Sequence, residues 1–316
     1  MSLHERLDDH RSANRNQALL LVLALTAIVS LCGYTIGGLL GLALALFAVA
    51  LAVLAATRTA AAVVLKMYKA QPITVQNGPE LVQLFQALVQ RTDLPTAPRL
   101  FYVPSNIMNA FAVGHGDDAA IAVTAGLLNK LNPRELAGVL AHELSHVVHK
   151  DLVVMSIADA LSRITTVLGQ AGQIMILLSL PALFAGYDFP WLGALLLMAA
   201  PGVSAMLQLA LSRAREYSAD VGAVAITGDG LGLASALQKI EQVQSNWFDR
   251  LVLPGRKEVQ PAILRTHPHT HDRIERLKEM VGDIQASTLP RPEHMLAQST
   301  VTPRPLPRWH ALGLWY

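Results

Sequence analysis

The sequence is short of charge. Only 15% of its 316 residues are Asp, Glu, Lys or Arg, against about a quarter in a soluble globular domain. Hydrophobic residues make up 52%, so part of the chain sits in something other than water. Cysteine is almost missing. The single Cys32, inside an apolar run, excludes an internal disulfide and fits a reducing compartment or a fold that needs no staples. Neither sign of charge is in excess. A net charge of +2 and the lack of a basic–aromatic motif argue against nucleic acid as a partner. No cleavable signal peptide is expected, because residues 1–17 are polar and the apolar run behind them is too long for a signal core. The length suits one large domain or two small ones, and no internal repeat is visible.

What is present comes in blocks. Residues 18–56 are almost wholly apolar. As one helix they would extend about 60 Å, twice the roughly 30 Å core of a bilayer. The stretch Cys32 to Gly38 supplies a break, so the expectation is a transmembrane hairpin, with spans at 18–34 and 37–56, after a cytoplasmic N-terminus of residues 1–17. Arg6, Arg11 and Arg15 precede the hairpin, and Arg58, Lys66 and Lys69 follow it. With no Lys or Arg in the turn, both flanks are expected in the cytoplasm. A second apolar block, 164–211, is divided by Gly186 to Pro190 into spans at 164–185 and 190–211. Gln170, Gln173 and Pro181 interrupt the first of these, and Pro201-Gly202 predicts a kink in the second.

Residues 57–153 read as a folded, water-facing region. Pro79 to Val89 has helical apolar spacing. Short β-like runs follow at Arg99–Val103, Ala110–Val113 and Ala119–Thr124. Gly114 to Asp118 form a turn that makes the last two a hairpin. Asn132, Pro133 and Glu135 form a helix start, and that helix runs to about Val148. Beyond Ser212 the chain is polar again. It reads as helix to about Val243, a loop over 245–265, a charged helix from Asp272 to Met280, and a Pro- and Arg-rich tail, 287–316, of low expected order.

The chemistry centres on His142-Glu143-Leu144-Ser145-His146. Residues i and i+4 of a helix share a face, so the two imidazoles can grip one metal ion. Glu143 projects beside them and can take a proton from the attacking water. Two histidines fall short of the three protein ligands of a catalytic zinc site. Glu216 and Asp220, one turn apart in Arg213 to Asp220, can supply the third ligand and a carboxylate for a histidine N–H. The plainer reading of that stretch is a solvated charged helix after a membrane span. His149 is offset from the metal-facing stripe, His115 sits in the hairpin turn, and Arg163 either snorkels to the interface or faces a cavity.

These elements, in this order, resemble the HtpX-type membrane metallopeptidases, bacterial relatives of the CAAX prenyl endopeptidases. The resemblance runs over about residues 60–280. It rests on Val64 to Tyr68, Asn109 to Ala112, the His142 to His146 motif, Asp151, Ser212 to Asp220, Thr266-His267-Pro268, Arg273-Ile274 and Arg276-Leu277. It implies one zinc ion held by His142, His146 and Glu216, with Glu143 as general base and acid. It also implies a four-span protein of the bacterial inner membrane whose active site faces the cytoplasm. The implied substrates are misfolded or damaged membrane proteins, in a stress response. Two features depart from the pattern: the first membrane turn is unusually short, and the tail beyond Ser287 has no counterpart.

The expected architecture is therefore an α+β integral membrane protein. Four transmembrane helices accompany a mainly helical zincin-type catalytic domain with a small β-sheet, in two parts, 57–153 and 212–286. Asn109, Ala110, Phe111 and Ala112 would lie on an edge strand that holds an extended substrate by β-augmentation; the alternative is an ordinary core hairpin. His267, Arg213 and Arg215 are candidates for oxyanion stabilisation or regulation, His267 being otherwise a turn-capping histidine. With the HExxH helix just before the third span and Glu216 just after the fourth, the metal would sit near the membrane surface and tie the two halves together. Two other functions compete with quality control. One is a proteolytically silent membrane adaptor, which the complete His142, Glu143, His146 and Glu216 set argues against. The other is a processing protease for lipidated C-termini, for which four spans are too few.

Overall fold

The computed structural model describes residues 3–58, 61–184, 191–251 and 270–284. The loop beyond Leu251, His267 and the tail 287–316 lie outside them.

The first long helix, α1 (Leu3–Arg58), is interrupted by non-helical backbone at Gly37 and Gly38. Gly38 has φ of 57°, a conformation that costs little without a Cβ. Beyond this point the chain folds back. Leu25 and Val29 of the first arm share a buried cluster with Ala45 and Val49 of the second. The break expected between Cys32 and Gly38 is thus two residues of glycine backbone.

A short helix, α2 (Ala61–Met67), and strand β1 (Gln71–Pro72) lead to α3 (Pro79–Val89). Strands β2 (Arg99–Val103), β3 (Ala110–Val113) and β4 (Ala120–Thr124) follow, then α4 (Ala125–Lys130) and α5 (Pro133–Val148). The long helices α6 (Asp151–Phe184) and α7 (Trp191–Thr227) come next, then α8 (Gly230–Leu251) and α9 (Thr270–Ile284).

Among the described residues three helices are long and apolar enough to cross a membrane: Leu19–Ala56, Asp151–Ser179 and Trp191–Thr227. Their outer faces are bare hydrocarbon, with Leu39 78%, Leu192 73% and Met206 73% exposed. A surface of that kind is unfavourable in water and natural in lipid. Two boundaries differ from the sequence reading. α6 starts at Asp151, well before 164, and α7 runs through 212 to Thr227 without interruption, with Pro201 inside it. Hydropathy reports where the solvent changes, whereas the helical hydrogen-bond ladder continues across that change. The polar segment after 212 is also two helices. Gly228, at φ 72°, separates α7 from α8, and α8 continues to Leu251 rather than ending near Val243.

The sheet order is β1-β2-β4-β3. β2 and β4 are parallel, and β3 pairs antiparallel with β4 as the edge strand. Alternation of side chains across the sheet sends Ala110, Ala112, Ile121 and Val123 toward Leu140 and Leu144 of α5. Phe111, Val113, Ala120 and Ala122 face Ala61 and Leu65 of α2. α5 is buried along nearly its whole length, between the sheet, α3 and α8. A capping box fixes its start. The Asn132 side chain accepts from Glu135 N at 2.9 Å, and Glu135 Oε2 accepts from Asn132 N at 3.0 Å. Glu135 also receives Ser235 Oγ at 2.7 Å and Lys239 Nζ at 2.8 Å, which pins the helix to α8.

Candidate metal centre

α5 presents His142 and His146 one turn apart, and their Nε2 atoms stand 3.2 Å from each other. α7 crosses behind them. Gly222 permits the approach, since a Cβ there would meet Ser145 Oγ at 2.0 Å. The crossing brings Glu216 Oε2 to 3.4 Å from His142 Nε2 and Oε1 to 3.8 Å from His146 Nε2. One donor atom from each of the three residues lies within 4.8 Å of the others. Two imidazoles and one carboxylate, converging and mostly buried, are the donor set that suits a zinc ion.

Each imidazole is held from behind by a carboxylate. His142 Nδ1 lies 3.0 Å from Asp220 Oδ1, and His146 Nδ1 lies 2.9 Å from Asp151 Oδ2. An arginine grips each carboxylate in turn. Arg273 of α9 donates Nε and Nη2 to Asp220 at 2.8 and 2.7 Å, and its Nη1 lies 2.8 Å from Glu216 Oε2. Arg215 Nη1 donates to Asp151 Oδ1. Burial opposes a proton on His142, but the Asp220 and Glu216 carboxylates outweigh it and lift the imidazole from 6.5 to about 10. Burial likewise opposes the charge of Arg273, and Asp220 and Glu216 more than restore it.

Glu143 points to the sheet. Its Oε2 accepts the backbone N–H of Ala112 at 3.0 Å. The backbone of Asn109 is turned to β4, where its carbonyl accepts from Thr124 N and its N–H donates to Thr124 Oγ1, both at 3.0 Å. By strand alternation the main-chain groups of Ala110 and Ala112 face away from β4, toward the side where Glu143 stands.

Residues 75–281 match the family model described as Peptidase family M48. The chain belongs to that family. Among its curated relatives, a "Protease HtpX homolog" from Acidiphilium cryptum is 37% identical over 83% of this chain and 94% of its own length. Proteins of the same name from Desulforapulum autotrophicum and Salinibacter ruber are 36% and 35% identical, each over 84% of this chain, covering 89% and 97% of the relative. A crystal structure of S. mikatae Ste24p aligns with 85% of this chain and 66% of that chain, at 20% identity and a TM-score of 0.45, which is a loose likeness.

The other residues singled out in this M48 chain sit in varied places. Arg215 is buried against Asp151, whereas Arg213, two residues earlier, is exposed. His149 turns its Nδ1 to Ser145, with the carbonyl at 2.8 Å and Oγ at 3.1 Å, away from the ion-binding group. His115 and Arg163 are exposed. Two residues of the candidate centre were not assigned a role from the sequence, Asp151 and Arg273. For Arg273 a signal exists: it shares a helical face with buried Leu277, and an arginine on the apolar stripe of an amphipathic helix needs a buried partner. For Asp151 the signal is weaker, an acid that opens an apolar run five residues after His146.

Proposed function

We propose that this chain is a zinc-dependent endopeptidase of the membrane that cleaves misfolded or damaged membrane proteins. The observation that carries the reading is the convergence of His142, His146 and Glu216 within 4.8 Å beside a carboxylate, Glu143, bonded to an edge strand. His142, His146 and Glu216 would hold the ion. When bound, zinc supplies Lewis-acid chemistry, acidifying water and polarising the scissile carbonyl.

The chain's own residues do the rest. Glu143 takes a proton from the attacking water and returns it to the leaving amide nitrogen. Asp220 and Asp151 hold the two imidazoles so that each Nε2 faces Glu216. The edge segment Asn109, Ala110, Phe111 and Ala112, which leads into and forms most of β3, receives the substrate as an added strand. The outward main-chain groups of Ala110 and the carbonyl of Ala112, whose N–H is given to Glu143, make the contacts, so side-chain sequence matters little. This tolerance suits an enzyme whose substrates share damage rather than a motif.

Membrane placement follows the same reading. The two arms of α1, together with α6 and α7, make four crossings, 18–56 and 164–211 being the two hairpins. The catalytic parts, 57–153 and 212–286, lie on the side of the basic flanks, the cytoplasm, with the bacterial plasma membrane as the site. α6 begins five residues after His146, and Glu216 lies one to two turns beyond the apolar part of α7. The centre therefore sits at the membrane surface, where loops and emerging segments of membrane proteins can reach it.

The test is metal content together with cleavage of a destabilised membrane protein in reconstituted vesicles. The detergent-purified chain should carry one zinc ion, lose it on His146→Ala or Glu216→Gln, and lose cleavage with it. Cleavage at full rate by a chain stripped of metal would contradict the proposal.

A further inference from the structure

The two imidazoles are supported in the same way but from different parts of the fold. The support of His142 runs through Asp220 to Arg273 on α9. The support of His146 runs through Asp151 to Arg215, and both of those residues belong to the long apolar helices. Asp151 is the first residue of α6, and Arg215 lies in α7 directly before Glu216.

The local backbone explains how Asp151 reaches the site. α5 ends at Val148, and Lys150 takes a left-handed conformation, φ 57°, the usual way to end a helix, although a glycine normally occupies that place. The chain reverses there, which returns Asp151 toward His146. Asp151 divides its oxygens between Oδ2 on His146 Nδ1 and Oδ1 on Arg215. Neighbours in a helix project about 100° apart, so α7 can aim Glu216 at the histidines and Arg215 at the start of α6 from adjacent positions. Asp151 is 1% exposed and Arg215 5%. A buried ion pair of this kind is poor value as a source of stability, because desolvation offsets most of the attraction. Its position behind a metal-facing imidazole suggests another use.

We propose that Asp151 and Arg215 are positioning residues for His146, so that metal capture depends on the packing of α6 against α7 at the end nearest the site. The proposal rests on the reading of His142, His146 and Glu216 as metal ligands. Asp151 fixes the ring and keeps the Nδ1 proton on the side away from the ion. Arg215 keeps the carboxylate aimed. A shift of α6 relative to α7 would turn His146 out of the ligand set without touching His142.

The experiment measures zinc affinity of the full-length detergent-solubilised chain by competition with a chromophoric chelator, and records the Co2+ absorption spectrum of the same proteins. Asp151→Asn and Arg215→Gln should each weaken zinc binding roughly 10- to 100-fold, the usual effect of losing a partner behind a metal-bound histidine. They should also alter the Co2+ spectrum. Arg215→Lys, which keeps the charge, should recover most of the affinity. Thermal unfolding of the metal-free proteins separates a folding defect from a binding defect. If Asp151→Asn does not fold, the Arg215→Gln and Arg215→Lys pair decides, and equal affinity of those two overturns the proposal. Wild-type affinity in Asp151→Asn overturns it as well, with the metal centre left standing. No zinc bound by the wild type removes the metal reading and this proposal together.

Discussion

The backbone N–H of Ala112 donates to Glu143 Oε2 at 3.0 Å, which joins the edge strand of the sheet to the acid that serves as general base in the proposed reaction. Glu143 is therefore aimed by main chain, and in the proposed reaction the same strand would offer its neighbouring groups to a substrate. Proline at position 112 removes that donor and puts a ring carbon against Glu143 in its place, while the pairing with β4 is spared because the N–H faces away from it and prolines are tolerated on sheet edges. Ala112→Pro should retain zinc and lose roughly ten- to a hundredfold in turnover, the value of a hydrogen bond to a charged group, about 1.5–3 kcal/mol. Paired zinc and rate measurements check this; turnover equal to wild type would show that the amide does not aim Glu143.

The approach of α7 to α5 gives a second prediction. A methyl group on Gly222 would lie 2.0 Å from Ser145 Oγ, so Gly222→Ala must push the helices apart and carry Glu216 away from His142 and His146. Zinc affinity should fall, and stability should drop by about 1–3 kcal/mol, as for other overpacked cores. Adding Ser145→Ala should recover part of both. Calorimetric zinc titration with a thermal melt reads the two effects.

The charge state of His142 predicts a pH dependence. Burial disfavours its proton, Asp220 and Glu216 favour it more strongly, and the folded value rises from 6.5 to about 10. Because the folded value is the higher one, this group's contribution to the stability of the metal-free protein is complete below pH 6.5 and is lost as pH climbs through 10. Zinc needs the neutral imidazole, so its uptake releases a proton. Apparent zinc affinity should rise toward pH 10, by at most about tenfold per pH unit for one proton. Chelator competition across pH 6 to 10 tests this, and a flat profile would contradict it.

The anchoring of α5 is testable apart from chemistry. Glu135 closes the capping box and receives Ser235 and Lys239 from α8. Glu135→Ala should cost about 2–4 kcal/mol, the sum of a lost cap and a buried hydrogen-bonded charge. A melting temperature matching wild type would show that α8 does not depend on this contact.

Much of the candidate site is legible in the sequence. His142, Glu143 and His146 announce themselves because a helix places i and i+4 together. The Asn132–Glu135 cap and the β3–β4 hairpin are likewise local, written within a few residues. Glu216 and Asp220 were legible as a pair, although nothing in their own segment says what they face. The rest depends on contacts between distant segments. Arg273 meets Asp220 across 53 positions and Arg215 meets Asp151 across 64. Arg215 taken singly looks like a surface charge, and the apolar stripe that carries Arg273 does not say which acid it meets. The unbroken course of α7 through 212 was hidden because hydropathy falls there while the helix does not end. The parallel pairing of β2 with β4 was hidden because their partners are set by the sheet, not by the turn between neighbours.

The central claim is tested most directly by cleavage of an unfolded protein in detergent, comparing zinc-loaded wild type with zinc-loaded Glu143→Ala. The account predicts cleavage by wild type alone, with equal zinc in both proteins. Equal cleavage by the two, or none by either although both hold zinc, would contradict the assignment of Glu143 as the base of a zinc endopeptidase.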